Sequence, residues 1–318
     1  MKILIQFPEG LKDKAFDYAK QLEKEGNEVY IDAHPTFGAC DLAIDEAKTL
    51  KVDKLIHFGH AEYGHDRLNN LGFEVEYNEY KIDAPLTMLP KSLDYLKDYN
   101  TLGLITTIQH QHQLNSIKSF YEKNGKKVLI GKPYGLARKE GQVLGCDVGA
   151  AATIDKNVDA FVYFGGGVFH PLGAVLATKK PFLVVDPFNS EVKFIDDMRV
   201  TYEKQRRGLI MSSLKAKKFG ILVSTKNGQY NNRLADILKK KIDEAGMQAE
   251  VLITNTFDFN SLENMIDIDA FVNTACPRIA IDDVDRIRKP LLNSNELMEV
   301  LKIKKESEEL KQKAESGI

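Results

Sequence analysis

The chain has 318 residues, with 44 Lys and Arg against 46 Asp and Glu, which gives a formal net charge of −2. This balance argues against a nucleic-acid or anionic-membrane binder, and no apolar run is long enough to span a bilayer. The first residues lack a signal-peptide cleavage site, and three cysteines are too sparse for a disulfide framework, so we expect a cytoplasmic protein of two or three domains.

The predicted elements recur three times along the chain. Each repeat begins with an apolar strand, an amphipathic helix that ends near a glycine, and a second strand. A third apolar strand then follows an aspartate, and a fourth strand follows a proline. These aspartates are Asp53, Asp159 and Asp269, and the prolines are Pro85, Pro181 and Pro290.

This alternation of strands and helices predicts an α/β fold of three similar small domains with parallel sheets. We expect the domains at residues 1–98, 99–212 and 213–318, the last including a C-terminal helix. Ligands of such sheets bind beyond the carboxyl ends of the strands. In a pseudo-threefold arrangement of the three domains, which we predict, these ends would converge at one centre.

The three cysteines occupy comparable places, each after a short apolar run and before a helix-like segment. Cys40 and Cys146 follow the second strand of their repeats. Cys276 follows the third strand, where His60 and Gly166 are its counterparts, so the site is not strictly threefold. We interpret the cysteines as one shared metal site; the alternative is three unrelated buried cysteines, since Cys packs well as a small apolar residue.

The metal is not decided by the spacing. Iron–sulfur clusters are held by thiolates, and a cubane with three protein cysteines leaves one iron open to bind a substrate. Structural zinc usually takes four protein ligands, and His60 or His65 could complete a Cys3His zinc site.

Other candidates follow predicted strands. The glycine-rich loop at residues 165–167 could bring bare backbone near a carboxylate, phosphate or nucleoside, although a tight turn explains it as well. Gln109 and His110 follow the opening strand of the second repeat, and Glu9 and Lys226 lie in the corresponding loops of the first and third repeats. Glu9 and Lys226 could anchor a zwitterionic ligand, although helix capping or a solvated turn explains them as well. The residues that we expect to contact a cofactor are Gly165, Gly166, Gly167, Gln109, His110 and Glu9.

Seven segments resemble motifs of the archaeal diphthamide synthase family, in order along nearly the whole chain. Residues 35–41, 143–147 and 273–280 resemble its three cysteine motifs. Residues 6–11, 107–110, 165–167 and 224–229 resemble the others. Members of that family often carry a further cysteine after the segment that matches residues 57–60, where this chain has Ala61 and Glu62; the three matched cysteines are intact.

The resemblance implies a [4Fe-4S] cluster ligated by Cys40, Cys146 and Cys276, with an open iron that binds S-adenosylmethionine. Electron transfer from the reduced cluster would break the bond between sulfur and the γ-carbon. The 3-amino-3-carboxypropyl group would then be added to a histidine of translation elongation factor 2, the first step of diphthamide formation. The resemblance also implies a homodimer. We also expect an electron donor, which is not identified. We expect neither membrane binding nor direct contact with nucleic acid.

Two alternatives remain open. Quinolinate synthase resembles this design, with three α/β domains that each give one cysteine to a [4Fe-4S] cluster, but it is a dehydratase of small acids. The segments 224–229 and 273–280 favour the diphthamide family over it. The second alternative is a zinc-stabilised module that binds a nucleotide without turnover.

Overall fold

The structure, a computed structural model, describes residues 1–64, 68 and 70–315, so the candidate zinc ligand His65 lies outside the described residues. The chain divides into two compact units, Met1–Arg199 and Val200–Ile318. In their described parts, the first unit contains two sheets and the second contains one.

The chain segment that forms the first sheet alternates between strands and helices over most of its length. They are β1 (Lys2–Gln6), the 3₁₀ helix Glu9–Lys14, α1 (Ala15–Lys24), β2 (Glu28–Ile31), α2 (Ile44–Leu50), β3 (Lys54–Phe58) and β4 (Glu74–Asn78). The strands are parallel in the order β2-β1-β3-β4. Because side chains alternate along a strand, Ile3 and Ile5 pack on the α1 side, whereas Leu4 packs on the α2 side.

The second sheet lies in the same unit and has an extra strand. Its elements are α3 (Leu89–Tyr95), β5 (Thr101–Thr106), the 3₁₀ helix Ile108–Gln113, α4 (Leu114–Lys123), β6 (Lys127–Leu129), α5 (Gly149–Ala152), the 3₁₀ helix Asp155–Asn157, β7 (Ala160–Phe164), α6 (Phe169–Ala177), β8 (Phe182–Asp186) and β9 (Glu191–Phe194). The order is β6-β5-β7-β8-β9, and β9 is antiparallel to β8. α7 (Asp197–Ser213) then leads from the first unit into the second.

The third sheet belongs to the second unit. Its elements are β10 (Lys218–Ser224), α8 (Asn232–Glu244), β11 (Gln248–Thr254), α9 (Phe259–Glu263), β12 (Ala270–Asn273), α10 (Ile279–Asp282), the 3₁₀ helix Val284–Arg286, β13 (Leu291–Asn293) and α11 (Ser294–Glu315). The strands are parallel in the order β11-β10-β12-β13. α8 and α11 cover one face, and α9 and α10 cover the other.

The shared strand order confirms the predicted fold class of three similar α/β sheets. Two details were wrong. The strand β9 was not expected, and the fourth strand of the first repeat lies before Pro85 rather than after it. The segment after Pro85 instead enters α3, which Pro90 favours because proline suits a first helical turn, and Leu89 packs in the core of the second sheet. None of the helices in the described part of the chain has the length and hydrophobicity needed to cross a bilayer.

The aspartate before the third strand of each repeat has a common structural role. In each sheet its carboxylate accepts hydrogen bonds from the backbone at the start of the neighbouring strand, and its own N–H donates to that strand. The carboxylate donors are Lys2 to Asp53 (2.7 Å), Asn100 and Thr101 to Asp159 (3.0 and 2.8 Å), and Lys217 and Lys218 to Asp269 (2.8 and 2.9 Å). The repeated aspartates therefore fix the register at the amino end of each sheet.

A second repeated feature is the pair of residues at the middle of the two central strands. The pairs in register are Leu4 with Leu55, Gly103 with Phe161, and Gly220 with Phe271. A β-carbon on Gly103 would lie 2.6 Å from the facing phenylalanine ring, and one on Gly220 would lie 2.8 Å from its ring. In the second and third sheets the phenylalanine ring fills the space in which a β-carbon would lie, so the facing residue has to be glycine. In the first sheet two leucines fill the equivalent space.

Candidate functional site

Cys40 is partly buried in the loop between β2 and α2. The next residue, Asp41, accepts a hydrogen bond at its backbone carbonyl from Nε2 of Gln6 (2.8 Å). Its carboxylate accepts one from the backbone of Phe37 (3.2 Å), and its N–H donates to the carbonyl of Gly38 (2.9 Å). The end of β1 and the loop's own bonds therefore set the position of the thiol.

Glu9 lies beside the residues that lead into this loop. It is exposed and forms an ion pair with Lys12 (2.7 Å), whose Nζ also donates to the carbonyls of Ala33 (3.1 Å) and His34 (2.8 Å). The hydrogen bond from Lys12 is the main cause that lowers the pKa of Glu9 below its usual value. The predicted cofactor contact of Glu9 stays a prediction.

Three polar side chains form a relay at the carboxyl end of the first sheet, in which Gln6 and His57 are buried and His60 is partly buried. Oε1 of Gln6 accepts from the backbone N–H of Ala43 (3.3 Å) and lies 2.9 Å from Nδ1 of His57. Nε2 of His57 lies 2.9 Å from Nδ1 of His60. Because a carbonyl oxygen only accepts, Nδ1 of His57 carries the proton, and its Nε2 therefore accepts from Nδ1–H of His60.

The relay leaves the lone pair of His60 on Nε2. Burial lowers the pKa of His57 well below its usual value, with His60 as a second cause, and burial lowers the pKa of His60 to about 4. Both rings are therefore neutral near pH 7. A β-carbon built on Gly38 would lie 3.8 Å from Sγ of Cys40 and 3.9 Å from Nε2 of His60, so a group lying over Gly38 can contact both atoms.

Cys146 is partly buried in the loop between β6 and α5. Asp147 follows it, as Asp41 follows Cys40, and again braces the loop. Its carboxylate accepts from the backbone of Leu136, of Ala137 (2.8 Å) and of Gly149 (2.8 Å). In both of the first two repeats, therefore, the aspartate after the cysteine stabilises the loop by accepting hydrogen bonds from its backbone.

The glycine-rich loop joins β7 to α6. The N–H of Gly165 donates to the carbonyl of Val185 (3.1 Å), and the N–H of Gly167 donates to the carboxylate of Asp186 (3.1 Å). Gly167 has a φ of 69°, which glycine adopts without strain. A β-carbon on Gly166 would lie 3.4 Å from the ring of Phe188, so the loop is closely packed against the turn after β8.

Asp186 holds this loop and was missed by the sequence reasoning. In addition to Gly167, its oxygens accept from the backbone of Phe188 (2.9 Å) and from the backbone and side chain of Asn189 (3.1 and 2.9 Å). Burial favours a higher pKa, but these hydrogen bonds outweigh it and lower the pKa of Asp186. A polar residue that ends an apolar strand and precedes a proline is a signal that could have found it.

Gln109 and His110 join the first and second sheets. Nε2 of Gln109 donates to the carbonyl of Gly59 (3.1 Å), and Nδ1 of His110 donates to the carbonyl of Ile82 (3.1 Å). His110 is buried, and its ring lies 3.4 Å from the position of a β-carbon on Gly165. The structure thus brings His110 to the glycine-rich loop, while the side chain of Gln109 binds the end of the first sheet.

In the second unit, Cys276 follows β12 and is partly buried. Nδ2 of Asn273 donates to the carbonyl of Cys276 (2.8 Å), and its Oδ1 accepts from the backbone of Ala275 (3.0 Å). Asn293 extends the network by accepting from Asn273 (2.9 Å) and donating to the carbonyl of Pro277 (3.0 Å). Asparagine at the end of β12 thus shapes the loop that carries the thiol.

Two buried cations lie in the same unit. Lys226 donates from Nζ to Oδ1 of Asn255 (3.1 Å), and Arg278 binds Asp282 through two contacts (2.8 and 2.6 Å). Burial raises the pKa of Asp282, although its pairing with Arg278 opposes this shift. Lys226 is therefore anchored next to the strand ends rather than extended into solvent.

The described residues of neither unit contain a cluster of three His, Cys, Asp or Glu side chains arranged for a metal ion. Cys40 and Cys146 lie in the first unit and Cys276 in the second.

Comparison with known proteins places the chain in a family. Residues 7–311 match the family model of diphthamide synthesis proteins. The chain is 34% identical to 2-(3-amino-3-carboxypropyl)histidine synthase of Pyrococcus horikoshii over 311 residues, which cover 96% of this chain and 87% of that protein. It is 30% identical to the protein of the same name from Methanocaldococcus jannaschii, over 95% of this chain and 84% of that protein.

A solved structure resembles this chain along most of its length. The crystal structure of Dph2 from Pyrococcus horikoshii with a 4Fe-4S cluster has a TM-score of 0.86 and 32% identity to it. The likeness covers 95% of this chain and 86% of that chain.

Proposed function

Because the chain belongs to the family of diphthamide synthesis proteins, we propose that it catalyses the first step of diphthamide formation. It would transfer the 3-amino-3-carboxypropyl group from S-adenosylmethionine to a histidine of translation elongation factor 2. The observation that carries the proposal is the 34% identity to a synthase of this name over 96% of the chain.

The proposed cofactor is a [4Fe-4S] cluster held by Cys40, Cys146 and Cys276. The residues fit this group in their chemistry. Thiols are the ligands that iron–sulfur clusters take, and each thiol here is partly buried in a loop that follows a strand. When bound and reduced, the cluster would supply the electron that breaks the bond between sulfur and the γ-carbon of S-adenosylmethionine.

The protein's own residues position the loops that carry the thiols. Asp41, Asp147 and Asn273 hold the three cysteine loops through the hydrogen bonds described above. Such outer partners orient metal ligands and are nearly as important as the ligands themselves. No contact among the described residues specifically supports the alternative of a zinc-stabilised module that binds a nucleotide.

The glycine-rich loop and its neighbour are the proposed contacts of S-adenosylmethionine. The N–H groups of Gly165 and Gly167 already donate within the protein, so these residues would present Cα atoms and carbonyls to the ligand. His110 would close one side of the loop, and Glu9 and Gln109 would contribute less directly.

The protein is further proposed to act as a cytoplasmic homodimer, with the elongation factor as its protein substrate and an electron donor of unknown identity. The predicted domains at residues 1–98, 99–212 and 213–318 remain part of this proposal.

The test is product analysis. Cluster-loaded protein is reduced without oxygen and incubated with S-adenosylmethionine, and the released nucleoside is identified by mass spectrometry. Methylthioadenosine above a control without reductant is the expected product, and aminocarboxypropyl-modified elongation factor should follow when that protein is added. Deoxyadenosine would contradict the proposed bond cleavage, and no cleavage at all would favour a dehydratase.

Cysteine variants test the ligand assignment. Cys40→Ala, Cys146→Ala and Cys276→Ala should each lose stable iron binding and product formation. Full iron content and activity in any one of them would exclude that residue as a ligand.

A further inference from the structure

His60 occupies the position in the first repeat that Cys276 occupies in the third. Each lies seven residues after the repeated aspartate, Asp53 or Asp269. Identical strand pairing supports this equivalence, because the residues after each aspartate pair with the opening strand in the same register. The first repeat therefore presents an imidazole at the place where the third repeat presents a thiol.

The two positions are also held in the same way. His57 and Asn273 are equivalent, four residues after their aspartates. His57 binds the ring of His60, and Asn273 binds the backbone of Cys276. A polar side chain at the end of the third strand thus orients the candidate ligand in both repeats.

The relay prepares His60 as a metal ligand. Metal-binding histidines usually donate their other ring N–H to a fixed acceptor, which sets the tautomer and the ring orientation. Here Nδ1–H of His60 donates to His57, whose own Nδ1–H donates to Gln6. The remaining nitrogen, Nε2, lies next to the same point over Gly38 as Sγ of Cys40.

We propose that Nε2 of His60 is the resting ligand of the iron that the three cysteines leave open, and that S-adenosylmethionine displaces it. This inference rests on the proposed function. One iron–nitrogen bond breaks as one bond from iron to the incoming ligand forms, so no electron is transferred and the imidazole stays neutral. His57 retains the displaced ring beside the site through the Nδ1–H bond.

The experiment uses the full chain carrying histidine labelled with ¹⁵N, loaded with cluster and reduced without oxygen. Pulsed electron paramagnetic resonance detects nitrogen bound to iron through its hyperfine coupling, and the isotope separates histidine from nitrogen of the added ligand. The wild-type protein should show a strong ¹⁵N coupling that disappears when S-adenosylmethionine is added. Absence of this coupling in cluster-loaded wild type would overturn the proposal, and that result requires no variant to fold.

Two variants extend the test. His60→Ala should lose the coupling but keep its iron and sulfide. His112, a partly exposed histidine that binds Asp83, provides the control, because His112→Ala should keep the coupling as well as the iron and sulfide. If His60 holds the iron in about nine of ten molecules, its removal should tighten the apparent Kd of S-adenosylmethionine about tenfold. Retention of the coupling in His60→Ala would refute the assignment.

The outcomes separate this inference from the proposed function. A ¹⁵N coupling that S-adenosylmethionine leaves unchanged, together with no release of methylthioadenosine, would refute the proposed function and the displacement. It would still establish His60 as an iron ligand, provided that the coupling is lost in His60→Ala. Normal product release without any ¹⁵N coupling would refute the ligand assignment alone.

Discussion

Asp186→Asn should loosen the glycine-rich loop without unfolding the sheet. Asp186 is 3% exposed and accepts four hydrogen bonds, which join the loop to the turn after β8. Asparagine has the same shape but only one accepting oxygen, so its amide group faces two of the former donors. The variant therefore loses two acceptor contacts and keeps the packing.

The magnitude follows from those two contacts. A hydrogen bond to a charged group contributes about 1.5–3 kcal/mol, and we take the lower end because the turn at Phe188 and Asn189 is solvent-exposed. The loss is then about 3 kcal/mol, which corresponds to an increase of about 100-fold in the population of the open loop.

Hydrogen exchange read at individual amides measures this opening. The N–H groups of Gly167, Phe188 and Asn189 should exchange about 100-fold faster in Asp186→Asn than in the wild type. Asp159→Asn, at the opposite end of the same sheet, is the matched control and should leave these three amides unchanged. Equal exchange rates in the wild type and Asp186→Asn would refute the idea that the carboxylate holds the loop.

The same carboxylate gives a pH signature. The pKa of Asp186 in the folded protein is lowered from 3.8, so the charge stabilises the loop above the unfolded-state pKa. This contribution is lost as the pH falls through the folded pKa. Protection of the three amides, corrected for intrinsic exchange, should therefore stay constant from pH 7 to about 5 and fall below about 4.

Further predictions concern stability. Asp269→Ala removes the acceptor of two backbone N–H groups and should lower the unfolding free energy of the second unit by about 1 kcal/mol in urea denaturation. Because its folded pKa is lowered, mainly by these hydrogen bonds, this difference should shrink below about pH 4, and an unchanged difference there would contradict the assignment. Gly103→Ala should cost about 1–3 kcal/mol because the new methyl group meets a phenylalanine ring, whereas Gly10→Ala, in open space, should not clash; equal stabilities would refute the close approach. Tyr121→Phe should cost about 1 kcal/mol by removing the bond to Ser92 (2.7 Å), and a neutral result in thermal unfolding would show that this buried bond has no net value.

The repeats made the sheets predictable. The aspartates correctly marked the third strand of each repeat, and the three cysteines fell in loops after strands as expected. β9 was missed because the repeat logic ended each sheet at its fourth strand, although Glu191–Phe194 alternates polar and apolar residues as a half-buried strand does.

The relay could not be predicted from the sequence. Gln6 and His57 are 51 residues apart, and the tautomer of His60 depends on both contacts at once. Sequence spacing indicated His60 as a counterpart of Cys276 but gave no means to decide which ring nitrogen carries the proton. That decision needs the pairing of β1 with β3, which brings Gln6 opposite His57.

The repeated aspartates have a consequence for how this molecule can change. They lie at one rim of each sheet, and the same backbone bonds recur there three times. At the other rim the equivalent residues four positions later all differ: they are His57, Tyr163 and Asn273. Register is thus secured at the rim away from the cysteine loops, which leaves each carboxyl rim able to acquire its own chemistry while the strand order stays the same.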